Sequence, residues 1–106
     1  MITIKENAIF KKAYYKGKKE VSNNLVLYYV PNKGQTRVGI TVSKKIGKAV
    51  VRNRIRRLVR EGWRTFCTKE GFDIVIVART SAAKSDFHAI QGSLFNMLSK
   101  SDLIVQ

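Results

Sequence analysis

Cysteine, proline and histidine each occur once in this sequence, as Cys67, Pro31 and His88, and carboxylates number only 7. One thiol closes no intramolecular disulfide and builds no thiolate metal cluster. One imidazole leaves out the zinc sites and triads built on several histidines. No apolar run approaches the ~18 residues of a membrane span, and no apolar segment with a small-residue cleavage site opens the chain, so a cytoplasmic location is expected. The carboxylates Glu6, Glu20, Glu61, Glu70, Asp73, Asp86 and Asp102 are scattered, with no Asp-x-Asp pair to seed a divalent site. That argues against a self-sufficient metal-dependent nuclease.

Positive charge is abundant. Lysine and arginine total 21 in 106 residues, for a formal net charge of +14. The 44% of hydrophobic residues is ordinary for a folded protein, and the length suits one domain over residues 1–106 with one core. An excess of one sign repels itself in the compact state, so it implies a polyanionic partner. Repeats, low-complexity tracts and linkers are absent from the sequence.

Residues Asn7 to Lys16 place Ile9, Phe10, Ala13 and Tyr14 at helical spacing, with Asn7 as the expected N-cap and Gly17 as the stop. The run from Leu25 to Val30 reads as a strand. After the Pro31–Gly34 turn, Val38, Ile40 and Val42 alternate with Arg37, Gly39, Thr41 and Ser43 as a second strand with one polar face. From Ala49 to about Phe66, Val51, Ile55, Leu58, Val59, Gly62 and Phe66 form one helical stripe. Phe72 to Ala78 is a near-continuous apolar strand, as expected of one covered on both faces. Asp86 to Ser99 closes the chain with a helix on Phe87, Ile90, Leu94 and Leu98, for which Ser85 is the expected N-cap. The predicted order is helix, two or three strands, helix, strand, helix: a small α/β layered fold on about four strands.

Ten of the basic residues lie between Arg37 and Arg64, seven of them arginine, and only Glu61 opposes them there. At about 100° per residue, Asn53, Arg56, Arg57, Arg60 and Arg64 share the side opposite the apolar stripe. A merely solvated helix face mixes signs for i,i+4 pairing, which this one does not. Guanidinium forks hold phosphate bidentately and stack on bases. The loop Ser43 to Lys48 adds Lys44, Lys45 and Lys48 just before a helix N-terminus, where free N–H groups already favour anions. Phosphate contact is the favoured interpretation. Gly39 and Gly47 leave open either close packing or backbone approach to phosphate.

Phe10, Tyr14, Tyr15, Tyr28 and Tyr29 fall in the N-terminal third. Single-stranded bases stack on such rings, although core packing is the default role of any one of them. Tyr28 and Tyr29 must point to opposite sheet faces. Phe66, Phe72, Phe87 and Phe95 are read as core or core margin, Trp63 as lying off the stripe at the core edge, Cys67 as packed at a helix end and His88 as a helix-surface residue.

The segment Arg37 to Glu61, with Ser43-Lys44-Lys45 upstream of Arg52-Asn53-Arg54 and the basic helix, closely resembles the signature of the bacterial ribonuclease P protein family. Flanking features agree: Phe10 and Tyr14 before Gly17, the strand at Leu25 to Tyr28, and Ala78-Arg79 ending the later strand. The resemblance implies an α+β two-layer domain, helix–three strands–helix–strand–helix, with a mixed sheet of about four strands and a left-handed crossover through the basic helix, against the usual hand. It implies the protein subunit of a ribonucleoprotein whose RNA cuts the 5′ leader from precursor tRNA. The expected RNA-binding residues are Lys44, Lys45, Lys48, Arg52, Asn53, Arg54, Arg56, Arg57, Arg60 and Arg64. A cleft between the first helix, the sheet and the basic helix would hold the single-stranded leader on Phe10, Tyr14 and Tyr28. Tyr14 stands where Phe is frequent, which changes the polarity of the ring edge. The implied partners are the catalytic RNA subunit, one protein per RNA, and precursor tRNA, with no membrane. No catalytic residue and no protein-bound cofactor are expected, and Mg2+ would sit mainly on RNA.

Composition alone equally fits a structural, ribosomal-type RNA-binding protein; the Arg-Asn-Arg helix and its Ser-Lys-Lys loop discriminate against it. A membrane-surface helix is disfavoured because the apolar stripe is needed by the sheet.

Overall fold

An apolar strand buried on both faces belongs at the centre of a sheet, and Phe72 to Ala78 is found there. The computed structural model describes residues 1–105. In chain order it consists of β1 (Ile2–Thr3), α1 (Asn7–Lys16), β2 (Lys18–Val21), β3 (Leu25–Pro31), β4 (Arg37–Thr41), α2 (Ala49–Trp63), β5 (Phe72–Ala78), a 3-10 turn (Thr80–Lys84) and α3 (Phe87–Lys100). The sheet order is β1-β4-β5-β3-β2. β5 pairs antiparallel with β3 and parallel with β4, so α2 is the crossover between parallel neighbours.

The sheet has five strands where about four were expected, and a strand precedes the first helix. The addition is β1, two exposed residues beside β4; like β2, the polar run Lys-Lys-Glu-Val beside β3, it is an edge strand held by backbone pairing. Neither has the alternation that marks a half-buried strand.

Strand alternation divides the interior in two. Leu25, Leu27, Val38, Ile74 and Ile76 face α2 and α3, meeting Ile55, Val59, Ile90, Leu94 and Leu98 in the larger core. Val30 and Val75 face the other way and pack with Ile4 and Ala13 beneath α1, joined by Ile9, Phe10, Tyr28 and Val77. α1 therefore stands alone on one sheet face, while α2 and α3 cover the other.

Several local expectations change. Glu6, not Asn7, is the N-cap of α1, without a side-chain bond. Asp86, not Ser85, caps α3, accepting the Ala89 N–H at 2.8 Å. Trp63 is buried in the larger core: it lies one turn beyond Val59, on the stripe rather than off it. Phe95 is 52% exposed, its ring 6.1 Å from that of Phe66 at the core margin. Cys67 is exposed: α2 ends at Trp63, and the segment after it is held through its backbone by residues 103–105 rather than packed at the helix end.

Candidate nucleic-acid interface

α2 folds as a helix because its apolar residues recur at three and four, and burial of Ile55, Leu58, Val59, Gly62 and Trp63 fixes its roll on the sheet. That roll leaves Asn53, Arg57, Arg60 and Arg64 exposed and Arg56 half-buried, so the predicted ridge forms. Within it the Arg56 guanidinium donates to Asn53 Oδ1 at 3.2 Å. Among the described residues, the only carboxylate that reaches the ridge is Glu61, 3.9 Å from Arg57 in an exposed i,i+4 pair. At that distance and exposure the pair is worth little, and the ridge keeps its charge for a partner.

The two arginines of the Arg-Asn-Arg motif point away from the ridge. Arg52 donates through Nε to the Gly47 carbonyl at 3.2 Å, tying the helix to the basic loop. Arg54 donates to the Ser85 carbonyl at 2.9 Å, at the entrance to α3. Both are half-buried, so they present fewer free donors than the ridge arginines. The loop is pinned by the Ile46 N–H to the Ser43 carbonyl, 3.1 Å, and by Ile46 packing on the larger core. Lys44, Lys45 and Lys48 are left exposed. Lys48 is the N-cap of α2 and makes no side-chain cap, and the first turn holds no acidic residue, which leaves the N-terminal N–H groups open to an anion. A Cβ on Gly47 would press on Val51 at 3.1 Å, so close packing accounts for this glycine.

Across the sheet, Phe10, Tyr14 and Tyr28 come together as expected. The rings of Tyr14 and Tyr28 meet edge-on with centroids 5.1 Å apart, and the Tyr14 hydroxyl lies 3.2 Å from Thr41 Oγ1. The Phe10 ring rests on Gly39, where an added Cβ would come within 2.6 Å of it. Gly39 is thus also a packing glycine. Tyr14 is 40% exposed and Tyr28 half-buried, which leaves ring surface free to stack. The walls are α1 and the sheet; α2 lies on the opposite face, which corrects the expected third wall. The basic loop leaves β4 two residues after Thr41 and so links the aromatic cleft to the cationic helix start. Thr41 and Gly39 were legible only as the polar side of β4. Tyr15, 87% exposed, lies outside the cleft.

Arg37, counted with the basic residues, belongs to a different arrangement. It grips Asp73 through two bonds, Nε–Oδ1 at 2.8 Å and Nη2–Oδ2 at 3.0 Å, and Asn32 Nδ2 donates to the same carboxylate at 2.8 Å. The Asp73 hydrogen bonds hold the Arg37 guanidinium above its ordinary pKa against the opposing effect of burial. This pair fastens β4 to β5.

Among the described residues, no three His, Cys, Asp or Glu side chains converge as metal ligands, and no helix is long and apolar enough to cross a membrane.

Residues 2–102 match the family model described as Ribonuclease P. The chain is 44% identical to the ribonuclease P protein component of Thermoanaerobacter sp. (strain X514), over 97% of this chain and 91% of the relative. It is 41% identical to that of Clostridioides difficile (strain 630), over 96% and 93%. The solved structure of Staphylococcus aureus RNase P protein superposes with a TM-score of 0.87 at 33% identity, covering 99% of both chains. The RNase P protein of Thermotoga maritima superposes with a TM-score of 0.81 at 28% identity, covering 94% of this chain and 97% of that one.

Proposed function

Because this chain belongs to the ribonuclease P protein family, and so is a protein subunit whose partner is RNA, we propose that its two surfaces divide the work between two RNAs. The arginine ridge and basic loop grip the folded catalytic RNA. The cleft of Phe10, Tyr14 and Tyr28 holds the 5′ leader of precursor tRNA. The observation that carries this reading is the exposed ridge, whose only carboxylate contact among the described residues is the 3.9 Å Arg57–Glu61 pair.

Dense fixed charge lowers the repulsion between catalytic and substrate RNA and releases condensed counterions. Each leader base stacked in the cleft adds about 1–3 kcal/mol. Mature tRNA has lost its leader, so that gain belongs to substrate and not to product. The scattered carboxylates do not fit a divalent site, so the Mg2+ that activates water is assigned to RNA phosphates and the cut itself to the RNA. One protein per RNA suffices for this arrangement.

The test is a binding titration of the catalytic RNA with precursor and mature tRNA, with and without this protein. Protein addition tightens the precursor alone; equal tightening of both ligands overturns the cleft assignment. Co-purification with ribosomes instead of one mid-sized RNA would restore the ribosomal-type reading.

A further inference from the structure

Tyr28 and Tyr29 are consecutive on β3 and so face opposite sides of the sheet. Tyr28 serves the cleft beneath α1. Tyr29 lies in a second cleft of about 290 Å3, lined by Lys16, Lys18, Tyr29, Pro31, Phe72 and Ser101. Its rings meet edge-on, with the centroids of Tyr29 and Phe72 6.3 Å apart, and both residues are half-buried, leaving ring surface open. Lys18 is the direct cross-strand partner of Tyr29, so its side chain stands on the same face. Lys16 and Lys18 are exposed, and neither belongs to an ion pair among the described residues.

A π-face beside two free ammonium groups suits a base with its phosphate: stacking fixes the base, and lysine supplies a point charge without demanding geometry. We infer that this second cleft binds a nucleotide of single-stranded RNA, namely the 5′ continuation of the leader held in the first cleft. The two clefts are back to back on neighbouring residues, separated at the sheet end by the turn at Gly17 between Lys16 and Lys18. A strand leaving the Tyr14–Tyr28 cleft past the end of α1 arrives beside those lysines. The inference rests on the leader reading given above.

The experiment measures affinity of the holoenzyme for precursor tRNAs whose leaders are lengthened one nucleotide at a time. The wild-type enzyme gains affinity with the first nucleotides, which fill the first cleft, and gains again with later ones. Tyr29→Ala reduces the second gain about tenfold, the equivalent of one stacked base. Lys16→Gln with Lys18→Gln, both exposed and so without consequence for folding, also removes the second gain and leaves the first. Lys11→Gln with Lys12→Gln removes the same charge from exposed positions on α1 outside the cleft and preserves both gains. The inference is overturned if the second gain is absent in the wild type or survives both cleft variants. It is also overturned if the Lys11/Lys12 variant loses as much, or if the cleft variants weaken mature tRNA or the catalytic RNA equally. Absence of the first gain overturns the leader reading itself, which separates the two failures.

Discussion

Replacing Gly39 by alanine drives a methyl group into the Phe10 ring. The new Cβ would stand 2.6 Å from Cε1, 2.7 Å from Cζ and 3.3 Å from Ile4 Cβ. Carbon atoms pack at about 3.5–4.0 Å, so the ring must retreat by about 1 Å. Ile4 and Phe10 belong to the small core under α1, which offers few other contacts to absorb the shift. Overpacking of this kind costs about 1–3 kcal/mol, and each kcal/mol lowers Tm by about 4–8 °C in a domain of this size. Tyr14 is one turn beyond Phe10, so displacement of α1 also opens the aromatic cleft. Gly39→Ala should therefore melt several degrees early and lose most of its preference for precursor over mature tRNA. Its affinity for the catalytic RNA should hold, because the ridge rides on the other sheet face. Thermal unfolding followed by the fluorescence of the single tryptophan, with the two binding titrations, measures all three. An unchanged melt with intact leader preference, or parallel loss of catalytic-RNA affinity, refutes the reasoning.

Trp63→Ala removes a buried ring from beneath the ridge and should cost about 3–5 kcal/mol in urea unfolding; a loss below about 1 kcal/mol would mean the indole is not packed as described. Asp73→Ala strips Arg37 and Asn32 of their shared acceptor and should cost about 1–2 kcal/mol, the Arg37 end being screened by solvent. Since the Arg37 pKa is raised in the folded protein, its contribution is fully present below the ordinary arginine value and is lost only as pH climbs through the raised one, so Arg37 adds no pH dependence near neutrality. Sulfate or phosphate should raise the Tm of the isolated protein above that in chloride at equal ionic strength, because these anions bind the folded basic surface. Equal melting in the two salts would refute that.

The ridge was legible because it depends only on helical spacing: Asn53, Arg57, Arg60 and Arg64 share a face as soon as Ile55, Leu58 and Val59 are buried. The same counting, carried one turn past Val59, reaches Trp63. The assignment of α1 to one sheet face and α2 and α3 to the other was not legible, because an apolar stripe says that a helix is covered but not by which face. β1 was not legible, and β2 was counted by the resemblance without being placed, for a related reason: their pairing is backbone hydrogen bonding to an edge, which any sequence can supply. Arg37 counts with the basic cluster in the sequence, and its partner Asp73, 36 positions away, is seen only once the fold brings it alongside. Arg52 and Arg54 carried the family resemblance, yet their roll around α2 turns them to Gly47 and Ser85, and only the packed structure reveals that.

Affinity for the catalytic RNA, measured across a range of salt concentrations, probes the ridge most directly. Each lost phosphate contact lowers the slope of log affinity against log salt by roughly one. Arg57→Gln, Arg60→Gln and Arg64→Gln combined should flatten that slope by roughly three, whereas Lys11→Gln, Lys12→Gln and Lys19→Gln combined, equal in charge, should barely change it. Equal flattening by the two triple variants would mean that net charge alone, and not the ridge, holds the RNA.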